Sequence, residues 1–410
     1  MSATRRLPWV VAGAIVFFGC NALWGVGELD YRSAGGAGGH PAGGFGGIGG
    51  ATTTTTTGSS GGSGGAGGTN PWWDEAWSRR LRLSFANSEG SENLADFPVL
   101  VALRPTHFGY SYAQPGGADL RVVDADHTTE LPFEIEEWTA GGASFVWTKV
   151  PRIDAGSTSD HIWLYYGNPD APDGQNAASV WSDGFQAVWH LGDAAPDEAT
   201  SGVHHDSTGH GNDGSQHHNA RVGSATGAIG GAAQFDGTND YITVSPAGLS
   251  ITGAAITITA RAQLASEPID FPHVIGAGGD GRYWQLYWIK TGMTGNGWAG
   301  RLRVSGWTEN VTPELGQIGA WTQLALVYDG AAVTLYHQGT AAASLPVTGA
   351  LEEVTGDIRI GGNPALSPRD FSGVIDEVRI ANVARSPAWL AADVASQAGA
   401  LVQVGSEESR

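Results

Sequence analysis

The sequence predicts an all-β protein made of two antiparallel β-sandwich domains behind a long polar segment. Short runs that alternate apolar and polar residues recur after residue 71, with Gly, Asp, Asn and Pro between them. This is the pattern of half-buried strands joined by turns. The roughly 330 residues in this part are too many for one small core and suit two domains. Abundant Gly and Trp, with only 15% charged residues, are typical of a secreted β-protein.

The first element is an N-terminal signal segment. Arg5 and Arg6 precede an uncharged apolar run that ends at Cys20, the only cysteine of the chain. A charged start followed by an apolar run is typical of a secretory signal. One thiol cannot form an internal disulfide. Cys20 directly after Gly19 resembles the lipobox of bacterial lipoproteins, in which the cysteine is acylated, so we interpret residues 1–20 as a lipoprotein signal peptide with Cys20 lipidated.

An uncleaved signal-anchor is the alternative for this segment. No charged residue occurs between Leu7 and Gly27, which approaches the roughly 20 apolar residues of a transmembrane helix. Arg5 and Arg6 would then remain inside. A twin-arginine export signal is a third interpretation, but the residues after the arginine pair match it poorly. Each interpretation places the body of the protein outside the cytoplasm, in the cell envelope or on the cell surface, with the membrane as a partner at its N-terminus.

Residues 21–70 are predicted to form a disordered Gly/Ser/Thr-rich tether. Half of the residues between Gly35 and Gly68 are glycine, and no Asp, Glu, Lys or Arg occurs from Ser33 to Asn70. Such a segment has little apolar surface to bury and loses much backbone entropy on ordering, so it stays a coil. Its root-mean-square span is about 35 Å, which holds a folded head clear of a membrane surface.

The charge of the chain excludes several classes of function. The net charge is −20, from 41 acidic and 21 basic residues, and this disfavours phosphate-rich partners. No basic stripe with interleaved aromatic residues occurs, and neither a P-loop nor a strand-linked dinucleotide motif is found. We therefore expect no nucleic-acid partner and no nucleotide cofactor.

Residues 71–183 make up the first predicted sandwich. Three segments follow one another in it: PWWDEAWSRRLRLSF at its start, LPFEIEEW in its middle and HIWLYYGNPDA near its end. In this order they resemble a bacterial surface family known as domain of unknown function 2341. The resemblance implies a β-sandwich-like fold and no known activity.

Residues 184–400 make up the second predicted sandwich, and residues 401–410 are interpreted as a tail. Four of its segments are, in order, AVWHLGD, HDSTGHGNDG, AAQFDGTNDYITV and GVIDEVRIANVARS. As an ordered set they resemble the concanavalin A-like, laminin-G-like jellyroll family. That resemblance implies two antiparallel sheets, a role mostly in binding, and often one bound calcium ion. A helix is predicted after Ser386-Pro387, an N-cap followed by proline.

Calcium is the cofactor that this resemblance implies. The loop from Asp206 to Gly214 offers oxygens between glycines, and Ca²⁺ takes about 6–8 oxygen ligands. By the resemblance, Asp206, Asn212 and Asp376 hold the ion. The alternative is that Asp206 and Asn212 make turns while Asp376 pairs with an arginine. Five histidines near this loop are interpreted as polar surface rather than as a zinc site: His204, His205, His210, His217 and His218.

A ligand platform is predicted on the strand at 283–290. Its even positions are the more apolar and should face the core, so Tyr283, Gln285 and Tyr287 should face outward. The same rule exposes Arg301 and Arg303. Aromatic rings beside amide and guanidinium groups suit a sugar. The alternative is that this face packs against the first domain.

No catalytic residue is predicted. Glu134 and Glu136 alternate on one strand, some 7 Å apart at about 3.3 Å per residue, a separation within reach of a glycosidase pair. They resemble only superficially the strand motif of the glucanases in the jellyroll family, whose central Asp is missing here, so we interpret them as a charged, exposed strand face.

The function predicted from the sequence is that of a surface-anchored, non-catalytic binding protein for glycans or extracellular partners. A structural or adhesive envelope protein is the first alternative, and a glycoside hydrolase is the second.

Overall fold

The computed structural model describes residues 71–410 except 194–202, 219–220, 250, 252, 269, 279–282, 290–296, 312–315 and 367–368. The predicted signal segment with Cys20 and the predicted tether at 21–70 lie outside the described residues. None of the helices in the described part of the chain has the length and hydropathy needed to cross a membrane.

The first sandwich contains eight strands and one short helix, labelled here in chain order. Its elements are β1 (Arg79–Phe85), β2 (Leu94–Leu103), a 3₁₀ turn (Pro115–Gly117), β3 (Arg121–Asp124), β4 (Glu130–Leu131), β5 (Phe133–Glu137), β6 (Ser144–Ile153), β7 (His161–Tyr166), α1 (Ala177–Val180) and β24 (Val402–Ser409). One sheet has the order β24-β1-β7-β3-β4 and the other the order β2-β6-β5.

The second sandwich contains the remaining strands. They are β8 (Phe185–Trp189), β9 (Val203–His204), β10 (Gly214–His217), β11 (Arg221–Thr226), β12 (Gly231–Asp236), β13 (Tyr241–Val244), β14 (Ile256–Leu264), β15 (His273–Ala277), β16 (Trp284–Ile289), β17 (Gly297–Val304), β18 (Trp307–Val311), β19 (Thr322–Tyr328), β20 (Ala332–His337), β21 (Thr340–Pro346), β22 (Ile358–Ile360) and β23 (Ser372–Ala381). A 3₁₀ turn (Pro246–Gly248) and helix α2 (Pro387–Gln397) complete it.

Two large antiparallel sheets form this second sandwich. One has the order β18-β17-β16-β15-β22-β13-β10-β9. The other has the order β11-β12-β23-β14-β19-β20-β21, and β8 also pairs with β23. The prediction of an all-β fold with antiparallel sheets is therefore confirmed. Helix α2 begins as predicted, since the Ser386 hydroxyl accepts a hydrogen bond from the Trp389 backbone N–H (3.0 Å).

The prediction of a C-terminal tail at 401–410 is wrong. Val402–Ser409 is strand β24, which pairs antiparallel with β1 from Arg79 opposite Ser409 to Phe85 opposite Val402. Val402 and Val404 pack against the core of the first sandwich. Pairing with β24 satisfies the backbone groups of β1 that would otherwise form an open sheet edge.

The two sandwiches pack together through apolar side chains. Phe97 of β2 meets Trp389 of α2 with ring centroids 5.1 Å apart, and the Leu100 backbone N–H donates to the Ser396 hydroxyl (2.9 Å). Val327 of β19 belongs to the same buried cluster as the first sandwich's core. The described residues from 71 onward belong to one compact unit.

Candidate functional site

A polar cleft lies where the two sandwiches meet. Its volume is about 410 Å³. The first sandwich contributes Glu134, Ile135 and Glu136 to its wall, and the second contributes His190, Gly192, Asp193, His205 and Ser207. Carboxylates and imidazoles from three separate segments of the chain therefore face one cavity.

Strand β5 carries the two glutamates of the cleft. Glu134 and Glu136 are two residues apart, so a β-strand places both on one face. The side chain of Glu134 is 13% exposed and that of Glu136 only 3% exposed. The prediction that they form an exposed charged face is wrong, because the second sandwich covers that face.

His190 links the glutamates to the second sandwich. It directly follows β8, and its Nε2 atom lies 3.3 Å from Glu134 Oε2. Its Nδ1 atom lies 2.6 Å from Glu377 Oε1 and 3.5 Å from Glu136 Oε2. One imidazole thus contacts three carboxyl groups from both sandwiches.

A β-bulge in β23 places Glu377 at the site. The pairing with β14 shifts register near this residue, and Glu377 has a φ of 52°. Adjacent strand residues normally face opposite sides, but Asp376 and Glu377 are close enough here to affect each other's ionisation. Burial, followed by the charges of Glu377 and Glu136, raises the pKa of Asp376 well above its usual value. Leu191, next to His190, also has a positive φ (61°). Left-handed conformations of such residues are strained by about 1–2 kcal/mol and cluster at functional sites.

Indole and hydroxyl donors fix the two β5 glutamates. Trp147 Nε1 donates to Glu136 Oε2 (2.6 Å). Trp181 Nε1 donates to Glu134 Oε2 (2.5 Å), and the Ser207 hydroxyl donates to Glu134 Oε1 (2.6 Å). Both oxygens of Glu134 are therefore bonded, whereas Glu136 Oε1 has no hydrogen-bond partner among the described residues.

Arg379 connects Glu377 of the site to helix α2. Its Nε atom donates to Glu377 Oε2 (3.0 Å), and its Nη1 atom donates to Asp393 Oδ1 of helix α2 (3.1 Å). The guanidinium lies 4.4 Å from the ring centroid of Trp147 and 4.7 Å from that of Trp181. These contacts hold Glu377 and Arg379 in one orientation. They also supply the additional hydrogen bonds that a buried ion pair needs to offset the loss of water.

The pKa values of the carboxyl groups in this cluster are shifted in opposite directions. Burial, followed by the Glu377 charge, raises the pKa of Glu136 to about 8. Burial acts against ionisation of Glu377, but the charges of His190 and Arg379 outweigh it and lower its pKa to about 2. Burial likewise opposes charge on His190, yet Glu377 and Glu134 hold its pKa well above the usual value. Glu134 is also buried, and His190 keeps its pKa below the usual value.

The predicted calcium residues divide between two places. Asp206 Oδ1 accepts from the backbone N–H groups of Val188 (3.1 Å) and Thr208 (3.0 Å), and Oδ2 accepts from that of Asn212 (3.1 Å). Asp376 Oδ2 instead accepts from the Ile229 backbone N–H. No hydrogen bond joins Asp376 to the other two, all three being described residues. Calcium binding stays a prediction, checked by whether Asp206→Asn removes a calcium-induced rise in melting temperature.

The histidines of the predicted polar loop, all within the described ranges, do not form a compact metal-binding group. His204 is fully buried, and burial lowers its pKa to about 4. His205 is exposed and its backbone N–H donates to Asp193 Oδ2 (2.9 Å). His217 stacks on Tyr241. In the described part of the chain, only Glu136, His190 and Glu377 form a His/Cys/Asp/Glu group compact enough for a metal ion.

The prediction of an open aromatic platform on β16 is wrong. Gln285 is fully buried and Tyr287 is only 4% exposed. Tyr287 stacks on His273 with centroids 5.1 Å apart, and Arg301 lies 5.7 Å from the ring centroid of Tyr287. Asn363, in the loop after β22, contacts His273 (3.2 Å). Side chains of the neighbouring strands β15 and β17 therefore cover the Tyr287 ring, on the face that alternation alone would expose.

The rest of the predicted platform is also engaged within the sandwich. Tyr283 is half-buried, and Arg303 lies 5.0 Å from its ring centroid while pairing with Glu352 (3.2 Å). The even-numbered face was predicted correctly. Its three large side chains belong to the core between the two sheets: Trp284, Leu286 and Trp288.

Sequence reasoning missed the site that the structure assembles. A signal was present, because His190 and Glu377 are ionisable residues that interrupt strand-like segments rich in apolar residues, AVWHLGD and GVIDEVRI. A buried charge needs a partner. That partner could not be identified from spacing, since Glu134 lies 56 positions from His190.

Comparisons with protein families agree with this architecture. The family model described as Domain of unknown function (DUF2341) matches residues 116–194. The model described as Concanavalin A-like lectin/glucanases superfamily matches residues 236–391. The two predicted resemblances and their order along the chain are therefore confirmed. A search of curated proteins finds no match to the chain.

Several solved structures match about half of this chain. Domain 4 of AbnA, a GH43 extracellular arabinanase from Geobacillus stearothermophilus in complex with arabinotriose, is 22% identical with a TM-score of 0.40, over 52% of this chain and 98% of that chain. The receptor binding domain of botulinum neurotoxin C/D mosaic serotype is 12% identical with a TM-score of 0.42, over 52% of this chain and 51% of that chain. The chain thus covers about half the length of the toxin domain.

Proposed function

We propose that the protein is a non-catalytic, extracytoplasmic binding protein that recognises a glycan in the cleft between its two sandwiches. The observation that carries the proposal is the set of fixed polar groups in that cleft. Glu134, Glu136 and His190 belong to or adjoin strands and have partners that hold their orientation. A cavity of about 410 Å³ lies within the range of small-molecule sites.

The chemistry of the cleft limits the kind of glycan. The Glu134 carboxylate, whose pKa is lowered, accepts hydrogen bonds and does not donate them, whereas Glu136, with a pKa of about 8, can also donate one when protonated. Both groups suit sugar hydroxyls, and the carboxylate also suits an amino group. Asp193 and Ser207 at the cleft wall add an acceptor and a hydroxyl. An acidic sugar would be repelled by the same carboxylates. The ligand class is therefore a neutral or amino sugar, and the family name, which includes lectins, supports a carbohydrate.

Glycoside hydrolysis is the second candidate, favoured by one observation. The pKa of Glu136 is raised to about 8 and that of Glu134 is lowered, and such divergence is typical of an acid and its partner carboxylate. However, both oxygens of Glu134 already accept hydrogen bonds from Trp181 and Ser207. A carboxylate held in this way orients its neighbours and is poorly placed to attack a sugar, so binding without catalysis remains the proposal.

The proposed location rests on the N-terminal sequence. Acylation of Cys20 would anchor the protein, and the glycine-rich segment up to residue 70 would hold the sandwiches away from the membrane. Cys20→Ala should release the protein from the membrane fraction or leave it unprocessed. Membrane retention together with an intact Met1 N-terminus would favour the signal-anchor.

A glycan array probed with the full-length protein in detergent tests the ligand. We expect neutral or amino glycans to bind, and Asp193→Asn or Ser207→Ala to weaken binding by about tenfold, or about 1.4 kcal/mol. Asp357→Asn is the matched control, because this exposed aspartate is not part of the cleft wall.

Three results would contradict the proposal. Absence of binding to every glycan would favour a structural or adhesive role. Equal loss in Asp193→Asn and Asp357→Asn would place the ligand elsewhere. Degradation of a bound polysaccharide by the wild type, lost in Glu136→Gln, would establish the hydrolase instead.

A further inference from the structure

Three metal-ligating side chains lie close together beside the cleft, and two of them, Glu136 and His190, line it. One donor atom from each of Glu136, His190 and Glu377 lies within 4.8 Å of the other two. His190 Nδ1 is 2.6 Å from Glu377 Oε1 and 3.5 Å from Glu136 Oε2. Donors that share one ion at about 2.0–2.2 Å lie about 3–3.5 Å apart. The distance from His190 to Glu136 meets this, whereas the distance from His190 to Glu377 is that of a hydrogen bond, whose proton the ion would replace. We propose that these three residues form a binding site for a first-row divalent transition-metal ion.

An unpartnered oxygen at the same place supports this assignment. The Glu136 side chain is 3% exposed, yet its Oε1 atom has no hydrogen-bond partner among the described residues. Its Oε2 atom is held by Trp147 (2.6 Å). Buried polar atoms are nearly always satisfied, and an exception indicates a missing ion, water or function. A cation beside Glu136 would satisfy this carboxylate.

The groups behind the three ligands have the arrangement that metal sites use. A ligating histidine almost always presents its second nitrogen to a carboxylate or carbonyl, which fixes its orientation. Glu134 Oε2 lies 3.3 Å from His190 Nε2, leaving Nδ1 toward Glu136 and Glu377. Arg379 bonds Glu377 Oε2, leaving Oε1 toward the site. Glu134 and Arg379 are therefore positioning residues.

The donor set selects the class of ion. Imidazole with carboxylates suits zinc and its first-row neighbours, whereas calcium takes oxygen ligands only. Two of the three ligands, Glu136 and His190, line the cleft together with Asp193 and Ser207. This site differs from the calcium site predicted at Asp206, Asn212 and Asp376. It also does not depend on the proposed glycan, because metal binding is measured without any sugar.

The test is metal binding by the full-length protein after removal of metals with EDTA. Equilibrium dialysis against Zn²⁺ should give one bound ion per chain, and Co²⁺ should give the visible absorption of a mixed nitrogen and oxygen site. Glu136→Gln should weaken zinc binding by more than about 100-fold, since loss of an outer-shell partner alone weakens it by about 10–100-fold. Glu134→Gln should fall in that smaller range.

Glu137→Gln is the matched control. Glu137 lies on the same strand and accepts a hydrogen bond from the Thr139 hydroxyl, but it does not belong to the three-residue group. It should bind zinc as the wild type does. Absence of zinc and cobalt binding by the wild type would overturn the proposal, even if Glu136→Gln failed to fold. Zinc binding that survives Glu136→Gln but is lost in His205→Ala would also overturn it, by assigning the ion to the exposed loop.

Discussion

Strands β5 and β16 both alternate between a polar and an apolar face, but the polar face of β5 lines a cleft and that of β16 is buried. On β5, the face with Glu134 and Glu136 borders a cleft and contacts His190 of the other sandwich. On β16, the face with Gln285 and Tyr287 is buried within one sandwich and contacts its own neighbours. Alternation identifies which residues share a face. It does not identify what covers that face, and this decides whether polar groups form a site or pack inside.

The largest expected effect compares two buried tryptophans, one from each environment. Trp147 donates to Glu136 in the polar cluster, whereas the indole nitrogen of Trp298 in the apolar core has no partner among the described residues. Trp147→Phe and Trp298→Phe both remove volume. Trp147→Phe should cost about 1–3 kcal/mol more free energy of unfolding, because it also leaves a buried carboxyl without its donor. Urea unfolding of both variants measures the difference.

Glu136→Gln in the Trp147→Phe background separates the hydrogen bond from the lost volume. The two changes should be non-additive if the indole and the carboxyl interact. Equal costs for the two tryptophans, with additive effects at Glu136, would mean that the polar cluster is packed like the apolar core.

A smaller effect concerns pH and the buried face of β16. Burial, followed by the Arg369 charge, lowers the pKa of His273 to about 3. Below its ordinary pKa of 6.5, the unfolded chain binds a proton that the folded chain does not. This contribution to stability is complete above pH 6.5 and is lost as the pH falls. Acidification from pH 7 to 5.5 should cost about 1 kcal/mol of unfolding free energy from this residue.

His273→Gln should flatten the pH dependence of stability by that amount. His205→Gln is the control, because His205 is exposed. An unchanged slope in His273→Gln would show that His273 titrates as it does in the unfolded chain and that the face of β16 is accessible to water.

The sequence could predict the fold because its signals are local. Alternation and turn residues predicted the β-class, and Ser386-Pro387 predicted the start of α2. The face of β16 that carries Trp288 was likewise predicted correctly, since large apolar side chains face a core whatever covers the sheet.

The candidate site could not be predicted because it depends on long-range packing. Glu136 and Glu377 are 241 positions apart, and the positive φ of Glu377 that turns its side chain toward the site has no signal in the residue type. The contact between Asn363 and His273 likewise could not be predicted from the spacing of residues in the sequence. In both regions the missing information was which segment packs on a given face.

The pairing of β24 with β1 has a consequence for biogenesis. The ribosome makes β1 (Arg79–Phe85) more than 300 residues before its partner Val402–Ser409. Until the last residues emerge, the sandwich that is synthesised first lacks a strand and presents an open edge, on which other chains could add. Contacts this distant in sequence also form slowly. The sandwich that is synthesised first is therefore the last to be completed, and protection of β1 by a chaperone would matter most in that interval.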